Sequence, residues 1–321
     1  MKPIGGFFEL EKIRKRKKPF IHENALALSS GRASLNLLLQ SISPSRVYVP
    51  FYTCNALLEP IILSKINYEF YHLNKDLEPD RNIQLKNNEY FMYINYFGLK
   101  SNYIQNLISR YSKRLIIDNT QAFFEVGYTD AFSFNSARKV FGVPDGSFSY
   151  SPIPMESAFP ENKTISISHL LNRAFGSVDT AYQEFLEYEK SISCDIKKIS
   201  TLSLNILHTI DYEEVAKTRR SNFSFLADHF QEYNCLQSNL QGNMVPFCYP
   251  LVPDTQVDKK KLHLQKIFIP TFWEDVLNRK VHGFEFERNL SRKLVPLPVD
   301  HRYSKNDLWY VITAVKKYLK R

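Results

Sequence analysis

The sequence predicts an α/β protein with a mostly parallel central sheet, helices on both faces and a smaller α/β unit at its C-terminal end. With 321 residues, 44% hydrophobic and 23% charged, the chain has the size and composition of a globular protein with a large core. From Ala25 onward, strand-length apolar runs alternate with helical patterns, as in parallel sheets. We therefore predict an arm over residues 1–24, a large domain over 25–195 and a small domain over 196–321.

The first half of the chain carries the clearest alternation of elements. Its apolar periodicity predicts three helices, over Ala33–Ser41, Tyr52–Ser64 and Tyr103–Tyr111. Short apolar runs between turn residues predict six strands, over Arg46–Val49, Tyr68–Tyr71, Tyr90–Tyr96, Arg114–Ile117, Phe132–Phe134 and Phe148–Tyr150. Together they predict the sheet of the large domain.

Longer helices are predicted after Tyr150. The pattern indicates helices over Ile165–Tyr188, Tyr212–Tyr233 and Ser304–Leu319, with Ser304 as the N-cap of the last. Strands are predicted over Met244–Val252, Lys266–Pro270 and Lys293–Leu297. The two prolines in the first of these are typical of an edge strand.

Charge and cysteine content narrow the classes of function. The net charge of +9 and a run of six basic residues within 11–18 would suit a nucleic-acid binder or an anionic substrate. No nucleic-acid motif accompanies the run, and only Phe20 follows it closely, so we predict no nucleic-acid partner. The four cysteines show no CxxC spacing, and no apolar run reaches about 18 residues. We therefore predict no metal site, no membrane span and a cytoplasmic location.

One stretch could carry chemistry at an amine. Residues Asp130–Ser147 begin as a strand, continue through Arg138 and Lys139, and close on the turn Pro144-Asp145-Gly146. A lysine held just past a strand end can form a Schiff base with an aldehyde, which is how pyridoxal phosphate is bound. Taken alone, the stretch is better explained by a basic pair, Arg138 and Lys139, that faces solvent.

Two upstream stretches favour the cofactor interpretation. Asp118 ends the buried run Leu115-Ile116-Ile117, and a carboxylate at a strand end can keep the ring nitrogen of pyridoxal phosphate protonated; otherwise it caps the next helix. Ser29-Ser30-Gly31 precedes an apolar helix, whose free backbone N–H groups could bind a phosphate.

In this order, the stretches resemble the DegT/DnrJ/StrS family of pyridoxal-phosphate-dependent nucleotide-sugar aminotransferases. The residues that carry the resemblance are Ser30-Gly31-Arg32-Ala33-Ser34-Leu35, Val49-Pro50-Phe51-Tyr52-Thr53, Asp118-Asn119-Thr120-Gln121, Phe132-Ser133-Phe134 through Lys139 to Gly146, and Val295-Pro296-Leu297-Pro298. The resemblance extends from about Leu26 to the end of the chain. It implies the aspartate-aminotransferase fold, also called fold type I.

The resemblance also implies a site and a reaction. Lys139 would hold pyridoxal phosphate and Asp118 would bind its ring nitrogen. The other implied cofactor contacts are Gln121 at the phenolic oxygen, Ser133 and the backbone of Gly31, Arg32 and Ala33 at the phosphate, and Cys54 or Tyr52 at the ring face. The implied reaction transfers an amino group, from glutamate, to a nucleotide-linked keto sugar in surface polysaccharide or amino-sugar biosynthesis, in a homodimer.

The sequence departs from the family pattern at several points. Cys54 stands where the family has an aromatic residue, the turn after the lysine is Pro144-Asp145-Gly146-Ser147, and one extra residue separates Phe-Ser-Phe from the lysine. Alignment from the left puts Arg138 at the lysine position, whereas alignment from the turn puts Lys139 there. A guanidinium stays protonated and cannot form the imine, so we assign Lys139.

A short region after Tyr150 leaves a second hypothesis open. The chain is shorter than most family members there, and the Gly-Tyr-Asn-Tyr-Arg segment that reaches the partner's site is missing. The alternative is a protein of this fold without transaminase activity, acting as a binding or regulatory module.

Overall fold

A computed structural model describes residues 3–11 and 19–319 of the chain. Most of the basic run singled out in the sequence, residues 12–18, therefore lies outside the described residues. Within the described part of the chain, no helix is both long and apolar enough to cross a membrane.

The centre of the molecule is a seven-stranded sheet. In chain order the described strands are β1 (Ile4–Gly5), β2 (Leu26–Leu28), β3 (Arg46–Pro50), β4 (Asn67–Tyr71), β5 (Glu89–Ile94), β6 (Leu115–Asn119), β7 (Phe132–Asn135), β8 (Ser147–Tyr150), β9 (Cys248–Leu251), β10 (Ile267–Phe268) and β11 (Val295–Pro298). The central sheet has the order β2-β8-β7-β6-β5-β3-β4. The pairs from β4 to β7 are parallel, and β8 and β2 add two antiparallel pairings at one side. The predicted mostly parallel sheet is confirmed.

The helices complete the alternation. They are α1 (Gly31–Ile42), α2 (Asn55–Leu63), α3 (Ser101–Tyr111), α4 (Ser168–Ala174), α5 (Val178–Ser191), α6 (Thr201–Leu207), α7 (Tyr212–Phe230), α8 (Lys259–Leu264), α9 (Glu274–Asn278), α10 (Glu285–Lys293) and α11 (Lys305–Lys316). Apolar side chains of α1, α2 and α3 share one core with strands β3, β5 and β6. A separate core joins the N-terminal part of α7 and α6 to the loop after β7. Parallel sheets are normally buried by packed helices, and these cores provide that burial here.

A second, smaller unit lies in the C-terminal part of the chain. Strands β9 and β11 pair antiparallel, and their apolar side chains pack with α7, α8 and α11 in one core. Strand β1 pairs with β10, so the start of the chain adds a strand to this unit. Ser304 caps α11 and forms a capping box with Asp307. The boundaries at 24/25 and 195/196 remain predictions.

The prediction of one helix over Ile165–Tyr188 is wrong. The structure has two helices there, α4 and α5, separated at Gly176. Gly176 has a φ of +87°, in the left-handed region that ends a helix and that glycine adopts most easily. The aromatic periodicity masked this break, because the stripe of Tyr182, Phe185 and Tyr188 belongs entirely to the second helix.

Candidate active site

The site begins where two neighbouring parallel strands end beside a helix N-terminus. Asp118 lies in β6, Lys139 lies in a short turn after β7, and α1 starts at Gly31. All three line one cavity of about 280 Å³. The carboxyl ends of parallel strands gather ligands in open α/β sheets, so this cavity has the expected location.

The loop that presents Lys139 is held by a buried carboxylate. Asp145 accepts hydrogen bonds from the Ser200 N–H at 3.0 Å and the Ser200 hydroxyl at 2.6 Å. The Ala137 N–H donates to Gly146 O at 2.9 Å, which closes the loop. The loop is therefore fixed from both ends, as the Pro-Asp-Gly signature predicted.

Thr120 connects the amine to the carboxylate. The Lys139 Nζ donates to Thr120 Oγ1 at 3.0 Å. The Thr120 backbone N–H donates to Asp118 Oδ1 at 2.7 Å. Lys139 and Asp118 are thus held in one hydrogen-bonded chain that opens on the cavity.

Asp118 is a buried carboxylate near a positive charge. Burial raises the pKa of Asp118, while the Lys139 ammonium and the hydrogen bonds from Thr120 lower it. Among residues 3–11 and 19–319, no cation forms a direct ion pair with Asp118. A buried carboxylate of this kind is stabilised by a cationic or N–H-bearing ligand.

The start of α1 supplies backbone donors to the same cavity. Ser30 caps the helix, and its hydroxyl accepts from the Ala33 N–H at 3.1 Å. Ser30, Gly31 and Arg32 line the cavity, so the first-turn N–H groups of Gly31 and Arg32 are those available to an anion. Ala33 is fully buried with its N–H used by the cap, and it does not line the cavity.

Arg138 and Lys139 have different partners. The Arg138 guanidinium forms an ion pair with Glu189 of α5 at 2.5 Å and lies 5.1 Å from the centre of the Tyr188 ring. Lys139 instead contacts Thr120, as described above. Both basic side chains line the cavity. Only Lys139 is hydrogen-bonded to Thr120, whose N–H donates to Asp118.

The predicted ring-face residues occupy different environments. Cys54 lines the cavity, and burial raises the pKa of its thiol. Tyr52 is fully buried, its hydroxyl donates to Phe272 O at 2.5 Å, and its ring lies 5.0 Å from that of Trp273. Trp273 itself lines the cavity. The aromatic residues that line the cavity are therefore Trp273 and Phe134, and the Tyr52 ring packs against Trp273.

Two further predicted residues do not line the cavity. The Gln121 Oε1 accepts from the Phe97 N–H at 2.9 Å, in a buried position. Ser133 is buried in β7 and its hydroxyl has no hydrogen-bond partner. Their contacts with a cofactor remain predictions.

Thr120 and Trp273 are cavity residues that no sequence motif indicated as part of the site. Thr120 lies two positions after Asp118. A hydroxyl that follows a strand-end carboxylate so closely could have indicated a further polar residue of the site. Trp273 lies 134 positions after Lys139, and only the three-dimensional fold brings it to the cavity.

The donor set of the cavity fits pyridoxal phosphate. An amine, a buried carboxylate without a direct ion pair and a helix N-terminus match the cofactor's aldehyde, ring nitrogen and phosphate. In the described residues, no group of three or more His, Cys, Asp or Glu side chains is arranged to hold a metal ion.

Several solved structures with a similar fold are sugar aminotransferases. The putative sugar aminotransferase Spr1654 from Streptococcus pneumoniae, in its PLP-form, matches with a TM-score of 0.66 and 12% identity, covering 98% of this chain and 94% of that one. Sugar aminotransferase CalS13 from Micromonospora echinospora matches at 0.64 and 13%, covering 97% and 99%. A DegT DnrJ EryC1 StrS aminotransferase from Brucella abortus matches at 0.61 and 14%, covering 92% and 86%.

These likenesses confirm the predicted fold. The chain has the fold of the pyridoxal-phosphate-dependent sugar aminotransferases, fold type I, over nearly its whole length. No family model matches the sequence, and no curated protein matches it.

Proposed function

We propose that this protein is a pyridoxal-phosphate-dependent aminotransferase that acts on a nucleotide-linked keto sugar. The observation that carries the proposal is the pair of hydrogen bonds that joins Lys139 to the Thr120 hydroxyl and the Thr120 N–H to Asp118, in a cavity beside the start of α1. The fold shared with sugar aminotransferases supports the same substrate class.

Each residue has a role that follows from its chemistry. When bound, pyridoxal phosphate supplies an electron-withdrawing ring that acidifies the carbon bearing the amino group. Lys139 would hold the cofactor through Nζ and, once released, move the proton at that carbon. Asp118 would keep the ring nitrogen protonated, and the N–H groups of Gly31 and Arg32 would bind the phosphate. Thr120 would orient Lys139 and Asp118 toward each other.

The other predicted cofactor contacts belong to the ring face, the phenolic oxygen and the phosphate. Cys54 and Trp273 would contact the ring from the cavity wall, with Tyr52 supporting Trp273 from behind. For Gln121 to reach the phenolic oxygen, its amide must exchange the Phe97 N–H for the cofactor. Ser133 and Ala33 would support the phosphate site through the strand and helix that carry them.

We also propose the finer features that the family resemblance implies. These are glutamate as amino donor, a role in surface polysaccharide or amino-sugar biosynthesis, a homodimer and a cytoplasmic location. The four cysteines are all free, which supports a reducing compartment.

Two measurements test the proposal: the attachment of pyridoxal phosphate to Lys139, and the first half of the amino-transfer reaction with an amino-acid donor. Purified protein supplied with pyridoxal phosphate should be yellow, and borohydride should bleach it and fix the cofactor to the peptide containing Lys139. Glutamate should then convert the yellow form in a single turnover. A colourless protein would refute the proposal, whereas a yellow protein inert toward all amino acids would favour a binding or regulatory role.

A further inference from the structure

Lys139 and Asp118 carry opposite charges in one cavity, yet they do not contact each other directly. Both side chains line the cavity of about 280 Å³, and the Lys139 ammonium is close enough to lower the pKa of the Asp118 carboxyl. Within residues 3–11 and 19–319, however, Lys139 Nζ donates to Thr120, and no ion pair joins it to Asp118. Opposite charges inside a protein attract each other strongly, so some feature of the cavity must keep these two apart.

Thr120 is the residue that lies between the two charges. Its hydroxyl oxygen accepts a hydrogen bond from Lys139 Nζ at 3.0 Å. Its backbone N–H donates to Asp118 Oδ1 at 2.7 Å. Each charged group therefore has a neutral hydrogen-bond partner on the same residue, and neither is left to find its partner in the other.

The side chain of Thr120 is held in one orientation. Only 8% of the residue is exposed, and a Cβ added at Gly31 would lie 3.4 Å from the methyl carbon Cγ2 of Thr120. The methyl group therefore faces the start of α1, while the hydroxyl faces the lysine. A β-branched side chain has few rotamers, so the packing of its methyl group also fixes the position of its hydroxyl.

The separation of the charges matters for the attachment of pyridoxal phosphate. Attachment joins Lys139 Nζ to the aldehyde carbon, and the carbonyl oxygen leaves as water with the two protons of the neutral amine. A direct ion pair with a carboxylate stabilises the ammonium form, which has no electron pair to attack the aldehyde. The same ion pair would occupy the carboxylate that the proposed function assigns to the ring nitrogen.

We infer that Thr120 keeps Lys139 and Asp118 from forming an ion pair, so that the amine stays available to the aldehyde and the carboxylate to the ring nitrogen. The inference rests on the proposed aminotransferase function, to which it adds the reason for a hydroxyl at position 120. Thr120 acts through its two neighbours, so it is a positioning residue. Its role recurs each time the amine is released from the cofactor during turnover.

Thr53 provides a matched control for the removal of a hydroxyl. Thr120→Val removes the hydroxyl and keeps the shape of the side chain. Thr53 is also buried, but its hydroxyl has no hydrogen-bond partner in the described part of the chain, and it does not line the cavity. Thr53→Val therefore removes the same group where no hydrogen bond is lost, and it should be neutral or slightly stabilising.

The experiment measures how fast pyridoxal phosphate attaches to the cofactor-free, full-length protein. Stopped-flow absorbance follows the appearance of the yellow colour, so the rate is read without turnover. We expect Thr120→Val to slow attachment by about tenfold or more, because the amine loses a neutral partner and pairs with Asp118 instead. Thr120→Ser keeps the hydroxyl and should recover most of the rate. Thr53→Val should attach the cofactor as fast as the wild type.

A second background isolates the part played by Asp118. Asp118→Asn keeps the size of the side chain but cannot form the ion pair. Thr120→Val should therefore slow attachment in the wild-type background and leave the rate of Asp118→Asn nearly unchanged, as a double-mutant cycle measures. An equal slowing in both backgrounds would show a merely structural effect and would overturn the inference.

The remaining outcomes are equally decisive. A wild-type attachment rate in Thr120→Val would contradict the inference, and so would a Thr53→Val variant that is slowed to the same extent. If Thr120→Val does not fold, Thr120→Ala takes its place, and a wild-type rate in that variant counts against the inference in the same way. Failure of the proposed function is separate, because the wild type itself would then stay colourless with pyridoxal phosphate.

Discussion

Lys139 and Arg138 are adjacent basic residues whose partners separate their roles. Lys139 reaches the hydroxyl of Thr120, whereas Arg138 is neutralised by Glu189. Lys139→Ala should therefore abolish the yellow colour and all turnover, because it removes the amine that holds the cofactor. Arg138→Ala should keep the colour and lose only part of the activity. Absorbance after dialysis measures the cofactor bound by each variant, and an amino-transfer assay measures its activity. A colourless Arg138→Ala together with a yellow Lys139→Ala would mean that the site assignment is wrong by one residue.

Asp118 should control reactivity more than cofactor attachment. Asp118→Asn keeps the size of the side chain and can still accept the Thr120 N–H, but an amide cannot hold the ring nitrogen protonated. We expect a yellow protein whose turnover is slower by about 3–4 kcal/mol of barrier, roughly 100- to 1000-fold. Stopped-flow kinetics with glutamate measures the rate. An unchanged rate would exclude the proposed role of Asp118.

His22 should make stability depend on pH. It is buried, with Nε2–H donating to Phe123 O and Nδ1 accepting from the Tyr150 hydroxyl, each at 2.7 Å. Burial lowers the pKa of His22 to about 4 from 6.5, so the unfolded chain takes up a proton first as the pH falls. Stability should drop between pH 6.5 and 4 by up to about 3 kcal/mol from this group. His22→Gln should flatten the pH dependence of urea unfolding, and identical slopes would contradict the assignment.

The elements that carry the site were predictable because their signals are local. The cap Ser30-Gly31 before an apolar run gave the start of α1, and the run ending at Asp118 gave β6, although the strand extends to Asn119. The break at Gly176 was missed because the aromatic stripe continued the helical period. Trp273 could not be predicted for another reason. It joins the site through packing between units far apart in sequence, and no local pattern encodes that contact.

The segment at the start of the chain packs directly on the lysine loop. The Glu11 N–H donates to Gly142 O at 2.9 Å, and a Cβ added at Gly142 would lie only 1.7 Å from Glu9 O. The nearest atoms to that Cβ all belong to the backbone of Glu9 and Glu11, which cannot rotate away as a side chain could. Gly142→Ala must therefore displace residues 9–11. We expect a loss of about 1–3 kcal/mol in the free energy of unfolding, and faster proteolysis near the start of the chain. Urea denaturation and limited proteolysis measure these effects, and a fully stable variant would mean that the contact is dispensable.

At the scale of the whole molecule, we predict a homodimer with the hairpin of α4 and α5 at its interface. The stripe on α5 is partly used within the chain, because the rings of Phe185 and Phe7 stack at 4.9 Å. Phe175 and Tyr182, on the same hairpin, remain 81% and 48% exposed. Exposed aromatic side chains grouped in this way are typical of interaction sites.

Light scattering should therefore give twice the chain mass of 37.6 kDa at micromolar concentration. Phe175→Asp should shift the protein toward monomer, because a charge in an apolar interface is desolvated without a partner. Leu264 offers a matched control, since it is 86% exposed and lies in the C-terminal unit on α8. Leu264→Asp should leave the mass unchanged. A wild type that is monomeric throughout, or a dimer disrupted by Leu264→Asp but not by Phe175→Asp, would place the interface elsewhere or remove it.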